Sequence, residues 1–470
     1  MHRNSTDSSL IRELRASVKG EVITADDAGY DAARRVFYTS FDRRPAAVVR
    51  VADAADVARI VRLSGEQGLE LAVRSGGHSV AGHSVSEGGL VIDLARMNAL
   101  DVDVEGRTAW AETGLTAGAY TAAVGAHGLA TGFGDAGSVG IGGITLGGGV
   151  GFLHRKYGLT IDSLLAAEVV TAGGDVLRAD AETHPELFWA LRGGGGNFGV
   201  ATRFRYRLHE VNEVVGGMMI LPATPDVVAS CIAAAIDAPE ELSGMFNVTI
   251  APPMPFLPAE AHGRPIVMAL LVYAGPAEAA GRALAPFRAL AAPLVDQLQP
   301  MRYPALYEGP PPPHPTAIAV RSLFMDTLDR ATAGTILDRL QASTAPMRVT
   351  QFRVLGGAVA RVSPDATAFA HRRRGLMVTV AAAYEHAADA AGHEAWATDL
   401  AAELRQGEPG AYIGFLGDAG EAGVRAAYPG PTWERLQEVK ARYDPANLFR
   451  LNQNVPPAPA RRAASTAPSP

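Results

Sequence analysis

The densest concentration of residues able to do chemistry is Val73-Arg74-Ser75-Gly76-Gly77-His78-Ser79, which continues through Ala81-Gly82-His83-Ser84 to Gly88-Gly89-Leu90-Val91-Ile92-Asp93. A short apolar run from Leu69 to Val73, broken at Glu70, delivers a strand into a tight glycine turn. Such a turn leaves several backbone N–H groups pointing one way. With Arg74 beside them they are expected to form an anion cradle suited to a phosphate or pyrophosphate. His78 then lies against whatever carries that phosphate. A second block, residues 132–149, is half glycine and includes Ala136-Gly137-Ser138-Val139, Gly142-Gly143 and Gly147-Gly148-Gly149. That density argues against an ordinary helix and for backbone packed closely on a flat ligand. The formal G-x-G-x-x-G patterns at Gly132, Gly134, Gly137 and at Gly194, Gly196, Gly199 do not make a nicotinamide site. Neither follows a clear strand and opens a helix with an acidic residue about 20 positions on.

These turns need elements to hold them. Pro45–Val51 reads as a buried strand, Asp53 as an N-cap, and Val57, Ile60 and Val61 as one face of a helix that Gly68 ends. More strands follow at 90–94 and 108–112, with a helix near 117–127. Strands at 165–171 and 200–208 flank the helix 185–192, which runs into the glycine turn 193–199 and on to Val200. Phe188 and Trp189 read as core. From 211 to about 410 Ala-rich helices (225–236, 277–292, 332–342) alternate with strands (245–250, 266–273, 350–355, 377–382). This mixture predicts an antiparallel sheet backed by helices. Pro310–Pro313 and Pro315 make a stiff surface loop, Arg372-Arg373-Arg374 a solvated face, and residues 457–470 a disordered tail.

The 470 residues, 48% hydrophobic and 19% charged, can bury ample core. A formal net charge of −7 and the lack of a basic stripe argue against nucleic-acid binding. The single cysteine, Cys231, excludes an internal disulfide and a Cys-based metal site. No apolar h-region or membrane-length apolar run occurs, so a cytoplasmic protein without a metal is expected.

Arg-Ser-Gly-Gly-His-Ser, then Gly-His-Ser, then Gly-Leu-Val-Ile-Asp-Leu resembles the flavin motif of the berberine-bridge-enzyme-like oxidoreductases, within the vanillyl-alcohol-oxidase/PCMH flavoproteins. His184–Arg192 with Gly193–Val200, and Tyr443–Pro456, resemble two further signatures of that family. The fold implied is α+β. A PCMH-type FAD-binding domain of two α+β subdomains is built from both chain ends (1–210 and 411–456), with a substrate domain at 211–410. The resemblance implies that the first turn holds the FAD pyrophosphate and that His78 bonds to the 8α-methyl of the flavin ring. It also implies that the second block lines the ring, that Val200 contacts flavin or adenine, and that Asn452-Gln453-Asn454 returns to the flavin. Family members with a doubly attached flavin carry a cysteine where this chain has Ala136, which leaves His78 as the covalent anchor. Val139 matches a position that gates oxygen.

The chemistry departs from the pattern at the base. Where many members place a catalytic tyrosine, this chain has Phe415, in Tyr412-Ile413-Gly414-Phe415. If that stretch is a strand, Tyr412 points to the opposite face from Phe415. A frequent glutamate position aligns with Thr379 when His371-Arg372 is matched to the family's preceding element. Tyr412, Thr379, Gln351 and Asn247 are therefore the candidates for catalysis, with Thr249, Arg353 and Tyr273 as further polar groups on middle-domain strands. The expected activity is oxidation of an alcohol or activated C–H of a small, largely apolar natural product, with O2 as acceptor. A flavin-dependent oxygenase or cyclase of polyketide tailoring, and a flavin-binding protein with little turnover, remain open. A second copy of the chain is a further candidate partner.

Overall fold

The computed structural model describes residues 3–309, 314 and 316–459. The polyproline run and the tail beyond Pro459, both noted in the sequence, lie outside the described residues. Three sheets organise the chain. The first has the order Glu21–Ile23, Ala47–Arg50, Leu90–Asp93, Leu71–Arg74, with the last three strands parallel. Helix Ala54–Gln67 packs on it. Asp53 caps that helix by accepting the Asp56 N–H, and Gly68 ends it in the left-handed region at φ 63°. Val57, Ile60 and Val61 are fully buried, as their spacing requires.

The second sheet is five-stranded and antiparallel: Leu100–Asp103, Thr108–Glu112, Val200–Arg207, Leu164–Val170, Val176–Asp180. Its core takes in helix Ala117–Gly125, helix Pro185–Leu191 and, from the other end of the chain, Trp433, Leu436, Val439 and Tyr443 of helix Pro431–Tyr443. Leu448 and Phe449 pack into the core of the first sheet. The two chain ends thus share one body.

The third sheet is antiparallel, and its long strands run Glu213–Pro222, Pro265–Tyr273, Leu242–Ile250, Met347–Val354, Leu376–Tyr384, Ala317–Met325. Four helices, Pro225–Asp237, Ala277–Arg288, Arg330–Ala342 and Ala390–Glu403, cover one face through a core that includes Phe246, Val248, Phe352, Val354, Val378 and Val380. Alternation then sends Met245, Asn247, Gln351, Arg353, Met377 and Thr379 to the other face. Tyr273 lies in the helix-side core, which removes it from the candidates for catalysis.

Three sequence expectations need correction. Glycine density does not prevent a helix at Ile141–Gly147. Seven residues are fixed there by packing of Ile141, Thr145 and Leu146, which overrides propensity. Ile413–Phe415 is a 3-10 turn and not a strand. Residues three apart eclipse in that geometry, so Tyr412 and Phe415 meet on the same side, ring centroids 5.6 Å apart. Arg372 is not solvated. It is fully buried and grips Asp162 with two bonds of 2.7 and 2.8 Å.

Burial lowers His78, His83, His154, His209 and His371 each to about 4. The unfolded chain takes up protons near pH 6.5 that the folded chain refuses, so this stability is complete above that value and is lost as pH falls toward 4. A fully buried histidine such as His154 contributes a slope of about 1.4 kcal/mol per pH unit within the window. Urea midpoints at pH 7 and pH 5 measure it, and equal midpoints would contradict it.

Candidate functional site

The turn 75–79 and the block 132–149 form one structure. A Cβ on Gly76 would overlap Gly140 N and stand 3.2 Å from the Ser138 carbonyl. Ser75 Oγ donates to the Thr113 carbonyl and accepts Gly142 N–H at 3.2 Å. Gly137 backs onto the Tyr307 carbonyl, and Gly149, at φ 76°, onto Thr160. Most of these glycines therefore admit the protein's own backbone and side chains at close range, which corrects the expectation that the block's backbone packs on a flat ligand. Gly143 is different: it is exposed, and a Cβ there would meet no atom within 4 Å.

Arg74 also departs from expectation. Its Nη2 donates to Asp93 Oδ2 at 2.8 Å and to the Ala33 carbonyl at 2.5 Å, and its Nη1 to the Arg35 carbonyl at 3.3 Å. The guanidinium neutralises Asp93 and pins the strand end, so its charge is spent internally. Gly77, at φ 72°, turns the chain. His78 emerges half-buried and stacked on Phe37, centroids 4.1 Å apart. Burial first, then His314, lower it to about 4 against the Ser138 backbone carbonyl. The imidazole is therefore neutral at neutral pH. Ser79 Oγ accepts the His83 N–H at 3.2 Å, closing the next turn. Ala136 and Val139 are half-buried on the same loop as Ser138.

The C-terminal return is held by residues not singled out in the sequence. Asn197 donates to the carbonyls of Gly194 (2.8 Å) and Gln453 (3.1 Å), and its Oδ1 accepts Val455 N–H at 2.9 Å. Fully buried Lys440 reaches Asp444 at 2.7 Å and the Asn197 and Phe449 carbonyls at 2.8 and 2.9 Å. In the sequence that pair looks like an ordinary i,i+4 surface ion pair. Val200 is 1% exposed and packs with Val170, Leu448 and Phe449. Its side chain is core, which corrects its placement as a cofactor contact.

Buried oxygens on these segments with no hydrogen-bond partner among the described residues include Ser138 Oγ, Asn452 Oδ1 and Asn454 Oδ1. Buried polar atoms are almost always paired. A hydroxyl suits a phosphate oxygen, and amide oxygens suit the N–H or hydroxyl groups of a nucleotide. This mixture of a hydroxyl and two acceptor oxygens therefore fits FAD, with Ser138, Asn452, Asn454 and the bare backbone at Gly143 as the groups that would hold it.

Across from the loop stands the open face of the third sheet. Asn247, Gln351, Thr379 and Ser322 are mutual cross-strand neighbours and form a row over four strands. Gln351 Nε2 donates to Asn247 Oδ1 at 2.7 Å, and Arg353 donates to Gln351 Oε1 and, at 2.6 Å, to Asp135 Oδ2. Asp135 belongs to the glycine block, so this pair joins the two halves of the cleft. Arg353 also lies over the Phe415 ring at 4.7 Å. Thr379 Oγ1 is buried without a partner among the described residues. Thr249 instead donates to the Arg348 carbonyl at 2.6 Å. Tyr412 is enclosed by Phe369, Phe415, Val150 and Met377. Its hydroxyl accepts Gly149 N–H at 3.0 Å, and burial raises its pKa. That is the setting of an anchor for the glycine loop, unlike the free base expected of a catalytic phenol. Neither Asp135 nor Arg353 is marked as a joint site by its sequence context; only the register of the sheet brings them together.

The family model described as FAD binding domain matches residues 45–180, and the one described as berberine and berberine like matches residues 411–456. The chain is 32% identical over 457 residues to (R)-6-hydroxynicotine oxidase of Paenarthrobacter nicotinovorans, covering 94% of this chain and 97% of that protein. The crystal structure of 6-hydroxy-D-nicotine oxidase from Arthrobacter nicotinovorans superposes with a TM-score of 0.84 at 28% identity, over 94% of this chain and 99% of that one. BBE-like 1 of Physcomitrella patens shares the fold at TM-score 0.84 and 22% identity, over 95% and 99% of the two chains. No helix among the described residues is long and apolar enough to cross a membrane. With the flavin-type motifs packed against one another and a relative aligned along nearly its whole length, the chain belongs to the berberine-bridge-enzyme-like FAD-linked oxidoreductases.

Proposed function

We propose that this oxidoreductase carries FAD covalently through His78 and oxidises an activated C–H of a small, largely apolar molecule, with O2 taking the electrons. The observation that carries the reading is that the glycine block is joined on one side to His78, through the Ser138 backbone, and on the other to the polar row of the third sheet, through the Asp135–Arg353 bridge. FAD, when bound, supplies a two-electron acceptor for hydride. The chain's own residues do the rest. Neutral His78 offers the lone pair that a covalent link requires, Ser138, Asn452 and Asn454 orient the nucleotide, and the sheet face orients the substrate. Val139, small and apolar, is compatible with O2 reaching the cleft. The relative named as a hydroxynicotine oxidase supports an oxidase over other uses of FAD.

Phe415 cannot accept a proton, and the Tyr412 phenol is raised by burial and already engaged. Such a site suits a substrate whose reacting C–H is activated by its own structure. Tyr412→Phe is accordingly expected to leave single-turnover flavin reduction within about threefold of wild type while lowering stability by about 1–2 kcal/mol, because Gly149 N–H loses its acceptor. A hundredfold slower reduction would make Tyr412 catalytic after all. Hydrogen peroxide released in step with product tests the oxidase. Phe415 also leaves room for oxygenation, which label from isotopic O2 in the product would reveal.

A further inference from the structure

The polar row of the third sheet has a direction. Arginine can only donate, so Arg353 fixes Gln351 with its oxygen toward the guanidinium and its amide nitrogen toward Asn247. Asn247 must then present its oxygen to Gln351, which leaves both N–H groups of its Nδ2 without a partner among the described residues. Each bond in such a chain polarises the next, so a guanidinium at one end strengthens the amide donor at the other. Asp135 is the carboxylate bonded into the network, and Arg353 already neutralises it. Two of the five Arg353 N–H groups are used by these partners. Thr379, 6% exposed, adds a hydroxyl with no partner on the same face, next to Gln351.

We propose that Asn247, Thr379 and Arg353 form a donor seat that selects substrates by acceptor oxygens, a ketone or ionised phenol on an aromatic system of at least two rings, and rejects ammonium groups. This rests on the flavin-site reading above and names the substrate class for that site. Asn247 and Thr379 stand two strands apart, about 9–10 Å, which a bicyclic ring system bearing oxygens at both ends spans. An ammonium placed there would face amide N–H and guanidinium donors with no free carboxylate in the network. The same donors stabilise the ionised form of a phenol, so that its proton passes to solvent before hydride leaves, without the protein phenol that Phe415 replaces.

The test uses the full-length holoprotein and two bicyclic probes, 6-acetyl-2-naphthol, with an oxygen at each end, and 1-naphthylmethylamine, titrated by calorimetry. The acetylnaphthol is expected to bind at least tenfold more tightly than the amine. Asn247→Leu and Thr379→Val are each expected to weaken it about tenfold while leaving amine binding unchanged. Equal or tighter binding of the amine, or unchanged acetylnaphthol affinity in both variants, overturns the donor seat. Thermal melts confirm that each variant is folded; if one is not, the other decides. Flavin content is read separately from visible absorbance, so loss of FAD would count against the cofactor reading, and the probe comparison against the donor seat alone.

Discussion

Gly76→Ala is expected to abolish FAD incorporation. The added methyl would overlap Gly140 N, with Gly140 Cα at 2.9 Å and the Ser138 carbonyl at 3.2 Å. All three are backbone atoms of the second glycine block, so no side chain can swing away. The strain must separate the turn that presents His78 from the loop that presents Ser138. Overpacking against fixed backbone costs about 1–3 kcal/mol or more, and here the cost falls on the geometry of the cleft. Purified Gly76→Ala protein should hold less than about a tenth of the wild-type flavin. Gly143→Ala is the control: a Cβ there meets nothing within 4 Å, so that variant should stay folded, and its flavin content reports directly on the open side of the cradle. Wild-type flavin in Gly76→Ala protein would mean that the two blocks do not meet as described.

Arg372→Leu is expected to lose about 3–5 kcal/mol of folding stability, the usual consequence of stripping one partner from a buried ion pair. Arg372 is fully buried, holds both oxygens of Asp162 and bonds Thr367 Oγ1 at 2.8 Å. Asp162 closes the turn whose Thr160 and Ile161 N–H groups donate to the carbonyls of Gly149 and Gly148 at 2.9 and 3.1 Å. The pair thereby fastens the end of the glycine block to the lead-in of strand Leu376–Tyr384. Removing both charges, as Asp162→Asn with Arg372→Leu, should recover part of the loss, since no unpaired charge then stays buried. Urea denaturation measures both. A loss below about 1 kcal/mol for Arg372→Leu would place the pair among weak surface bridges.

Much of this architecture is legible in the sequence because local chemistry dictates it. Asp53 and Gly68 bound a helix whose apolar face reads directly from Val57, Ile60 and Val61, and the strands at 69–74 and 90–94 follow from short apolar runs. What is not legible depends on partners far away in the chain. Arg74 reads as a phosphate ligand because nothing local says that Asp93 and two carbonyls surround it. Arg372 reads as solvated for the same reason, its partner Asp162 being 210 residues away. A strand would put Tyr412 and Phe415 on opposite faces, and a single 3-10 turn reverses that relation. The Asp135–Arg353 bridge, 218 residues apart in the chain, exists only through the register of the third sheet.

The central claim is that FAD is bound in this cleft and linked through His78, and acid denaturation tests it most directly. Wild-type protein precipitated in acid should keep its yellow colour with the polypeptide, and a peptide containing His78 should carry the added mass of the flavin. His78→Ala protein should release all of its flavin to the supernatant. Colour leaving the wild-type polypeptide, or staying with His78→Ala, would contradict the assignment.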